Sequence, residues 1–207
     1  IITVPGTAVL GASLGLRVRL ASATIPASTG VVGTGEVEDY LVTVNASTSD
    51  FGDYPNFAAA SRVASTLIKI GTAATDVETT NPTSGAATLD DTTGTDDEDL
   101  TMPAITVGIN GTLSIPVTLT SPVTSGKIAV WADWNGDNDV QGTNEVVSLS
   151  TTSLVTGTNT ITATLSPPTG TTGGTKFLRI IVTEGATLPA FSGSSTLRGE
   201  VEDYAVT

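Results

Sequence analysis

The 207-residue sequence contains no cysteine and no histidine, a single methionine, and only 4% aromatic residues. Without cysteine there is no disulfide and no thiol nucleophile. Without histidine as well, the usual nucleophile–base triads cannot be assembled. Positive charge is scarce: 8 Lys and Arg stand against 21 Asp and Glu, a net charge of −13. Such a chain repels nucleic acid and anionic lipid, and divalent cations are its natural counter-charges. No uninterrupted apolar run reaches the roughly 18 residues a membrane-spanning helix needs. No glycine-rich phosphate loop leads from a strand into a helix. Helical periodicity is nearly missing too; only Phe57–Ser65 has the spacing of a short helical turn.

What is present favours strands and turns. There are 39 threonines, 22 glycines and 10 prolines, with a hydrophobic share of 39% that suffices for a packed core. Threonine, valine and isoleucine suit a pleated surface, and glycine and proline suit the bends between strands. Strand-like runs fall at 63–70, 105–107, 112–120, 127–133, 145–150, 159–165, 176–183 and 200–206. In Leu113-Ser114-Ile115-Pro116-Val117-Thr118-Leu119 the apolar residues alternate cleanly, so the odd positions face a core. Pro116 cannot donate a ladder hydrogen bond, which predicts an edge strand or a bulge there. The fold class expected is all-β: an antiparallel sandwich, jelly-roll-like, with long acidic loops.

The hexapeptide Gly-Glu-Val-Glu-Asp-Tyr occurs twice, at 35–40 and 199–204, a separation of 164 positions (204 − 40). Leu16-Arg17-Val18-Arg19-Leu20 precedes the first copy much as Leu178-Arg179-Ile180-Ile181-Val182 precedes the second. This is an internal repeat. Residues 1–45 read as the C-terminal part of a preceding copy, incomplete alone, and 46–207 as a complete one. Asn45–Asp50 reads as a polar linker. Three short strands, around Ile2–Val4, Leu16–Ala21 and Glu36–Val44 with a small-residue loop at Ser22–Thr34, bury too little without a covering layer to stand by themselves. The first copy is therefore expected to be completed by an upstream segment, a neighbouring chain or the second repeat. Strand alternation places Glu36 and Glu38 on one face with Val37 and Asp39 on the other, and likewise Glu200 and Glu202 opposite Val201 and Asp203. These carboxylates are read as structural, pairing with Arg17, Arg19 or Arg179 on a neighbouring strand or closing a metal site. A general acid–base pair is rejected, since no cleft-forming residue accompanies them.

Two acidic stretches are candidate cation sites. In Asp133-Trp134-Asn135-Gly136-Asp137-Asn138-Asp139, followed by Glu145, oxygen-bearing side chains recur at every second position after a strand. Gly136 and Asn138 tolerate the tight turns between them. That spacing lets one loop gather several hard oxygens around one hard cation, as calcium loops do. Position twelve, where an EF-hand places its bidentate glutamate, is Asn144; Glu145 follows one residue later. The first-choice ligands for calcium are thus Asp133, Asn135, Asp137, Asp139 and Glu145, against the alternative of a solvated turn. Asp96, Asp97, Glu98 and Asp99 are the second choice, in a run of carboxylates that begins at Asp90, with Asp50, Asp53, Asp76 and Glu78 as conceivable additions. Charge runs are more often solvated surface. Lys69, Lys127 and Lys176 lie in strand-like runs and raise an isopeptide crosslink as a minor alternative. Trp131 and Trp134 flank the acidic loop and raise sugar stacking as another, although Trp131 reads as a core residue.

Taken in order, Asp50-Phe51-Gly52-Asp53-Tyr54-Pro55, Asp96–Asp99, the 130–137 loop and the closing hexapeptide resemble the landmarks of the GEVED domain, a module of large secreted or surface-attached bacterial proteins. The resemblance runs from Asp50 to Thr207. Asn138 stands where that family commonly has glycine, which implies weaker calcium affinity. It implies a non-enzymatic, calcium-stabilised repeat at the bacterial cell surface or beyond it, in a fibre, stalk or adhesin. Neighbouring repeats or identical chains would be its partners, joined head-to-tail and by strand complementation, with a surface glycan or protein as a further ligand. Neither nucleic acid nor membrane insertion is expected. The alternative is a carbohydrate- or surface-binding module appended to a secreted enzyme, which would need exposed aromatics near Trp134, Tyr54 or Phe191.

Overall fold

The computed structural model describes residues 13–22, 34–44, 48–73, 75, 77–78, 81, 87 and 99–207. The chain divides into two compact units, Ile1–Ser47 and Thr48–Thr207. No helix occurs among the described residues, so the turn expected at Phe57–Ser65 is replaced by loop and strand. The apolar residues there do not need helical spacing, because Phe57 and Ala60 are buried by different neighbours.

The second unit is a β-sandwich of two sheets. Its elements are β3 (Ser49–Phe51), β4 (Ala60–Val63), β5 (Ile68–Ile70), β6 (Gly111–Leu119), β7 (Ser125–Asp133), β8 (Ser148–Leu149), β9 (Ser153–Val155), β10 (Gly157–Leu165), β11 (Lys176–Glu184) and β12 (Gly193–Val206). One sheet runs β5-β6-β10-β8 and the other β3-β4-β12-β11-β7-β9. All pairings are antiparallel except β4 with β12, which run parallel. Alternation decides which side chains meet between the sheets. Leu113, Ile115, Val117 and Leu119 of β6 and Ile161, Ala163 and Leu165 of β10 pack against Ile128 and Val130 of β7 and Leu178, Ile180 and Val182 of β11. Burying each such aliphatic side chain is worth about 1.5–3 kcal/mol, and this is the main drive for folding.

Pro116 departs from its expectation. β6 is flanked on both sides, by β10 and by β5, so it is not an edge strand. The β5 ladder covers only Val117–Leu119 and stops one residue short of Pro116. The proline therefore leaves no ladder bond unmade on that side, while its carbonyl still accepts from the Gly71 N–H at 2.8 Å.

The first unit contributes one antiparallel pair, β1 (Ser13–Ala21) and β2 (Gly35–Thr43). Its register places Arg17 opposite Asp39 and Leu16 opposite Tyr40. The same register recurs between β11 and β12, where Arg179 lies opposite Asp203 and Leu178 opposite Tyr204. The burial differs completely. Every residue of β2 is exposed, and so are Val18 and Leu20 of β1, whereas β12 is buried from Gly199 to Tyr204. The strand expected at Ile2–Val4, most of the Ser22–Thr34 loop and Asn45–Ser47 of the expected linker lie outside the described residues; Asp50, at that linker's end, is part of β3.

Candidate functional site: a buried charged strand and an acidic loop

Two constellations carry the chemistry of the second unit. The first is built on β12, whose repeated hexapeptide is buried on both faces. A glycine begins it for a steric reason: a Cβ on Gly199 would lie 2.1 Å from the Val182 carbonyl oxygen, and on the equivalent Gly35 1.9 Å from that of Leu20. The strands approach too closely there for any side chain.

Beyond that glycine, each carboxylate has its own partners. Glu200 accepts from the Ile70 N–H and, at 2.6 Å, from the Thr75 hydroxyl, so it ties β12 to the facing β5. Glu202 accepts from the Tyr204 hydroxyl. Asp203 takes two parallel bonds from Arg179, Nε to Oδ1 at 2.7 Å and Nη2 to Oδ2 at 2.6 Å, and a third from the Tyr54 N–H at 3.0 Å. Arg179 also donates to the Ala58 carbonyl at 2.6 Å and the Phe191 carbonyl at 3.2 Å. The Phe57 and Phe191 rings lie with their centroids 5.1 and 5.0 Å from its guanidinium carbon. A buried charge is tolerable only when paired and saturated with hydrogen bonds, and this pair is both. Gly52 seals it: a Cβ there would fall 2.7 Å from both Arg179 Nη2 and Asp203 Oδ2.

Of the pairings expected between the motif carboxylates and Arg17, Arg19 or Arg179, those of the two aspartates are found, while Glu200 and Glu202 take backbone and hydroxyl donors. Arg17 Nε and Nη2 reach Asp39 Oδ1 and Oδ2 at 2.6 and 2.7 Å. There the side chains are 47% and 62% exposed, against 0% for Arg179 and Asp203. Glu36 and Glu38, the counterparts of Glu200 and Glu202, are exposed as well. Asp50 and Glu78 join this constellation and not an acidic loop: Asp50 accepts from the Val201 N–H, and Glu78 from the Phe51 N–H at 2.7 Å. Asp53 is buried in the same region. Sequence reasoning did not single out Arg62, which is buried on β4 and donates to the carbonyls of Ser61 and Gly193. Burial pulls its pKa below the ordinary arginine value, against the opposing charge of Asp50.

The second constellation is the loop that leaves β7 at Asp133 and returns beside it, with Ala132 N–H on the Glu145 carbonyl at 2.9 Å and Val147 N–H on the Val130 carbonyl at 2.9 Å. Asp133 shapes the turn: its carboxylate accepts from the N–H groups of Gly136, Asp137 and Asn138 at 2.6, 3.2 and 2.9 Å. Asn135 accepts from Asp137 N–H at 2.9 Å and donates to the Asp137 carboxylate at 2.7 Å. The left-handed positions fall on Gly136, Asn138 and Asn144, with φ of 83°, 67° and 60°.

Three of the five first-choice ligands converge. Asp137, Asp139 and Glu145 each bring a carboxylate oxygen to within 4.8 Å of the others. Asp137 and Asp139 are exposed, while Glu145 is 1% exposed and accepts from Trp134 N–H at 3.2 Å and Gly142 N–H at 2.5 Å. Burial, and then the charges of Asp133 and Asp137, push the Glu145 pKa above the ordinary glutamate value, although its backbone bonds oppose this. Hard oxygens so arranged suit a cation of the calcium type. Asp133 is not among those three converging carboxylates. Of the second-choice residues, Asp96, Asp97 and Glu98, like Asp76, lie outside the described residues. Asp99 accepts from the N–H groups of Thr72 and Ala73 at 2.7 and 3.0 Å.

The aromatic residues named for sugar stacking are packed inward. Trp134 is 1% exposed with its indole N–H on the Asn144 carbonyl, and Tyr54 stacks on Phe177 with centroids 3.6 Å apart. Phe191 packs edge-on against Phe57 and Trp131. Among the described residues the lysines donate to oxygens of Thr72, Ser153 and Thr172, not to an asparagine or aspartate side chain.

Fold and site together define a β-sandwich module organised around a buried Arg–Asp pair, with an acidic loop at the end of one strand. Residues 127–207, from β7 through the acidic loop to the end of β12, match the family model of the GEVED domain. The resemblance carried by the motifs holds over that stretch; the match begins at Lys127, later than the Asp50 onset the motifs suggested. No curated protein and no solved structure matches the chain.

Proposed function

We propose that this chain is a non-enzymatic structural repeat of an extracellular bacterial fibre, stalk or adhesin, stiffened by calcium and joined to its neighbours head-to-tail. The observation that carries this reading is the twofold use of one strand pair. The bidentate Arg–Asp bridge occurs in identical register in both units, and only in the second is it covered. A motif written twice with the same geometry is what an array of modules requires. The exposed apolar residues of β1 and β2, Val18, Leu20, Val37 and Leu41 among them, suit complementation by a neighbour.

Calcium would be held by Asp137, Asp139 and Glu145, within a loop that Asp133 and Asn135 brace. Bound to the folded form only, it would stabilise the module by linkage. Thermal unfolding of EDTA-stripped protein with and without calcium, at several protein concentrations, tests the reading. A calcium-dependent rise in Tm supports the metal site, and a further rise with protein concentration supports completion of the first unit by another chain. A Tm indifferent to both would overturn it.

A further inference from the structure

Arg62, on β4, is only 4% exposed. A charge so placed ordinarily has an opposing charge nearby and a partner for each of its N–H groups. The opposing charge is there: Asp50 stands across from Arg62 in the β3–β4 register, its own carboxylate accepting the Val201 N–H. The partners are not all there. Both hydrogen bonds that Arg62 makes among the described residues leave from Nη1, to the Ser61 carbonyl at 2.7 Å and the Gly193 carbonyl at 3.2 Å. Its buried Nε has no partner among them.

The adjoining strand is irregular at this point. β12 pairs Ser194 with Ser61 and then Arg198 with Val63, so its residues 195–197 stand against Arg62 alone. An excess of chain on one strand bends it and re-aims its side chains. Here lies a cavity of about 210 Å³ lined by Arg62, by three serines and two threonines, and by Leu188 and Leu197. Those leucines are 53% and 40% exposed. Among the described residues that line it, Arg62 alone is charged. The chain carries 21 Asp and Glu, yet none of these lining residues is a carboxylate that could compete for the guanidinium.

We propose that this cavity binds a sugar acid, whose carboxylate accepts two hydrogen bonds from the Nε–Nη2 edge of Arg62. That is the edge its hydrogen bonds to the described residues leave unused. Guanidinium and carboxylate match in plane and spacing, so such a pair is specific as well as strong. The serine and threonine hydroxyls suit the sugar's hydroxyl groups, and the leucines suit its C–H face. The volume lies below the range of about 300–1,000 Å³ usual for larger ligands and fits a single ring. A net charge of −13 disfavours multiply charged anions, which makes one carboxylate the better occupant. The site goes beyond the repeat reading and needs neither the calcium loop nor the first unit.

The test is an NMR titration of the isotope-labelled whole chain, in EDTA, with D-galacturonate and with its neutral methyl ester. The Arg62 Nε–H resonance and the backbone amides of 192–197 report on the cavity. Saturable shifts with a millimolar Kd are expected for the acid. The ester is expected to bind about tenfold or more weakly, the scale of one charge-assisted hydrogen bond. Ser194→Asp sets a carboxylate at an exposed position of the lining and is expected to abolish binding. Thr160→Asp, exposed on β10 in the other sheet, adds the same charge elsewhere and should stay within about twofold of the parent. Arg62→Gln is expected to abolish binding as well, its fold checked in the same spectra because Arg62 is buried. If that variant does not fold, the Ser194 and Thr160 variants decide. Acid and ester binding alike, no saturable shift up to tens of millimolar, or binding untouched by Ser194→Asp overturns the proposal.

Discussion

Arg179 and Asp203 face each other across β11 and β12 through two parallel hydrogen bonds of 2.7 and 2.6 Å, with neither side chain exposed. Breaking a buried pair strands the surviving charge. Asp203→Asn is therefore expected to cost the second unit about 3–5 kcal/mol. Urea denaturation followed by the fluorescence of Trp131 and Trp134, both in that unit, would measure it. The equivalent Asp39→Asn should leave the same transition where it was. Equal losses from the two substitutions would contradict the separate roles given to the two bridges.

The glycine of the motif gives a second comparison. A methyl group on Gly199 would meet a backbone oxygen at 2.1 Å, which no side-chain adjustment relieves. Gly199→Ala should destabilise by about 1–3 kcal/mol through overpacking. Gly173→Ala, at a position with open space around it, should stay within about 0.5 kcal/mol of the parent. Denaturation midpoints of both variants decide the matter; a tolerant Gly199 would mean that the strands can spread.

Acid sensitivity should appear at Glu184. Its bond from Arg198, at 2.6 Å, holds its pKa below the ordinary glutamate value, against the opposing effect of burial. A carboxylate depressed in the folded state binds fewer protons there than in the unfolded chain. Its stabilisation is full above the ordinary pKa of about 4.3 and is lost as pH falls through the lower folded value. With both partners partly exposed, the contribution is under about 1 kcal/mol. Glu184→Gln should lower Tm slightly at pH 7 and not at all near pH 2, so parent and variant melting curves converge on acidification.

Removing ligands from the loop should erase the calcium response and little else. At a calcium concentration about 100 times the dissociation constant, linkage is worth about 2.7 kcal/mol. Asp139→Asn, at an exposed position, should abolish that gain while leaving the EDTA stability near the parent's. Asp133→Asn should lower stability in EDTA as well, because the Asp133 carboxylate accepts three backbone N–H groups of the turn. Calcium and EDTA melting curves of the two variants separate ligand from brace.

Much of this architecture was legible in consecutive residues. Alternation in 113–119 located β6 and the face it buries, the strand-like run at 159–165 located β10, and the repeated hexapeptide with its upstream arginines located both strand pairs without saying which carboxylate each arginine takes. Oxygen-bearing side chains at every second residue marked the loop. These are local patterns, written at a period of two and needing no knowledge of what lies across the sheet. Local spacing could not separate Asp133, whose carboxylate shapes the turn, from Asp137, Asp139 and Glu145, whose carboxylates converge. That division depends on where the returning strand carries Glu145.

Sequence by itself determined the strand class and the repeat that sets arginines of one strand beside carboxylates of the next. Only the tertiary structure decided what those pairs experience. Two identical hexapeptides make the same bridge, yet one lies in water and the other is sealed by Gly52, Tyr54 and Phe57, about 150 residues away along the chain. A hydrogen bond between neighbouring strands follows from the residues that make it, whereas its burial follows from which distant segment comes to cover it.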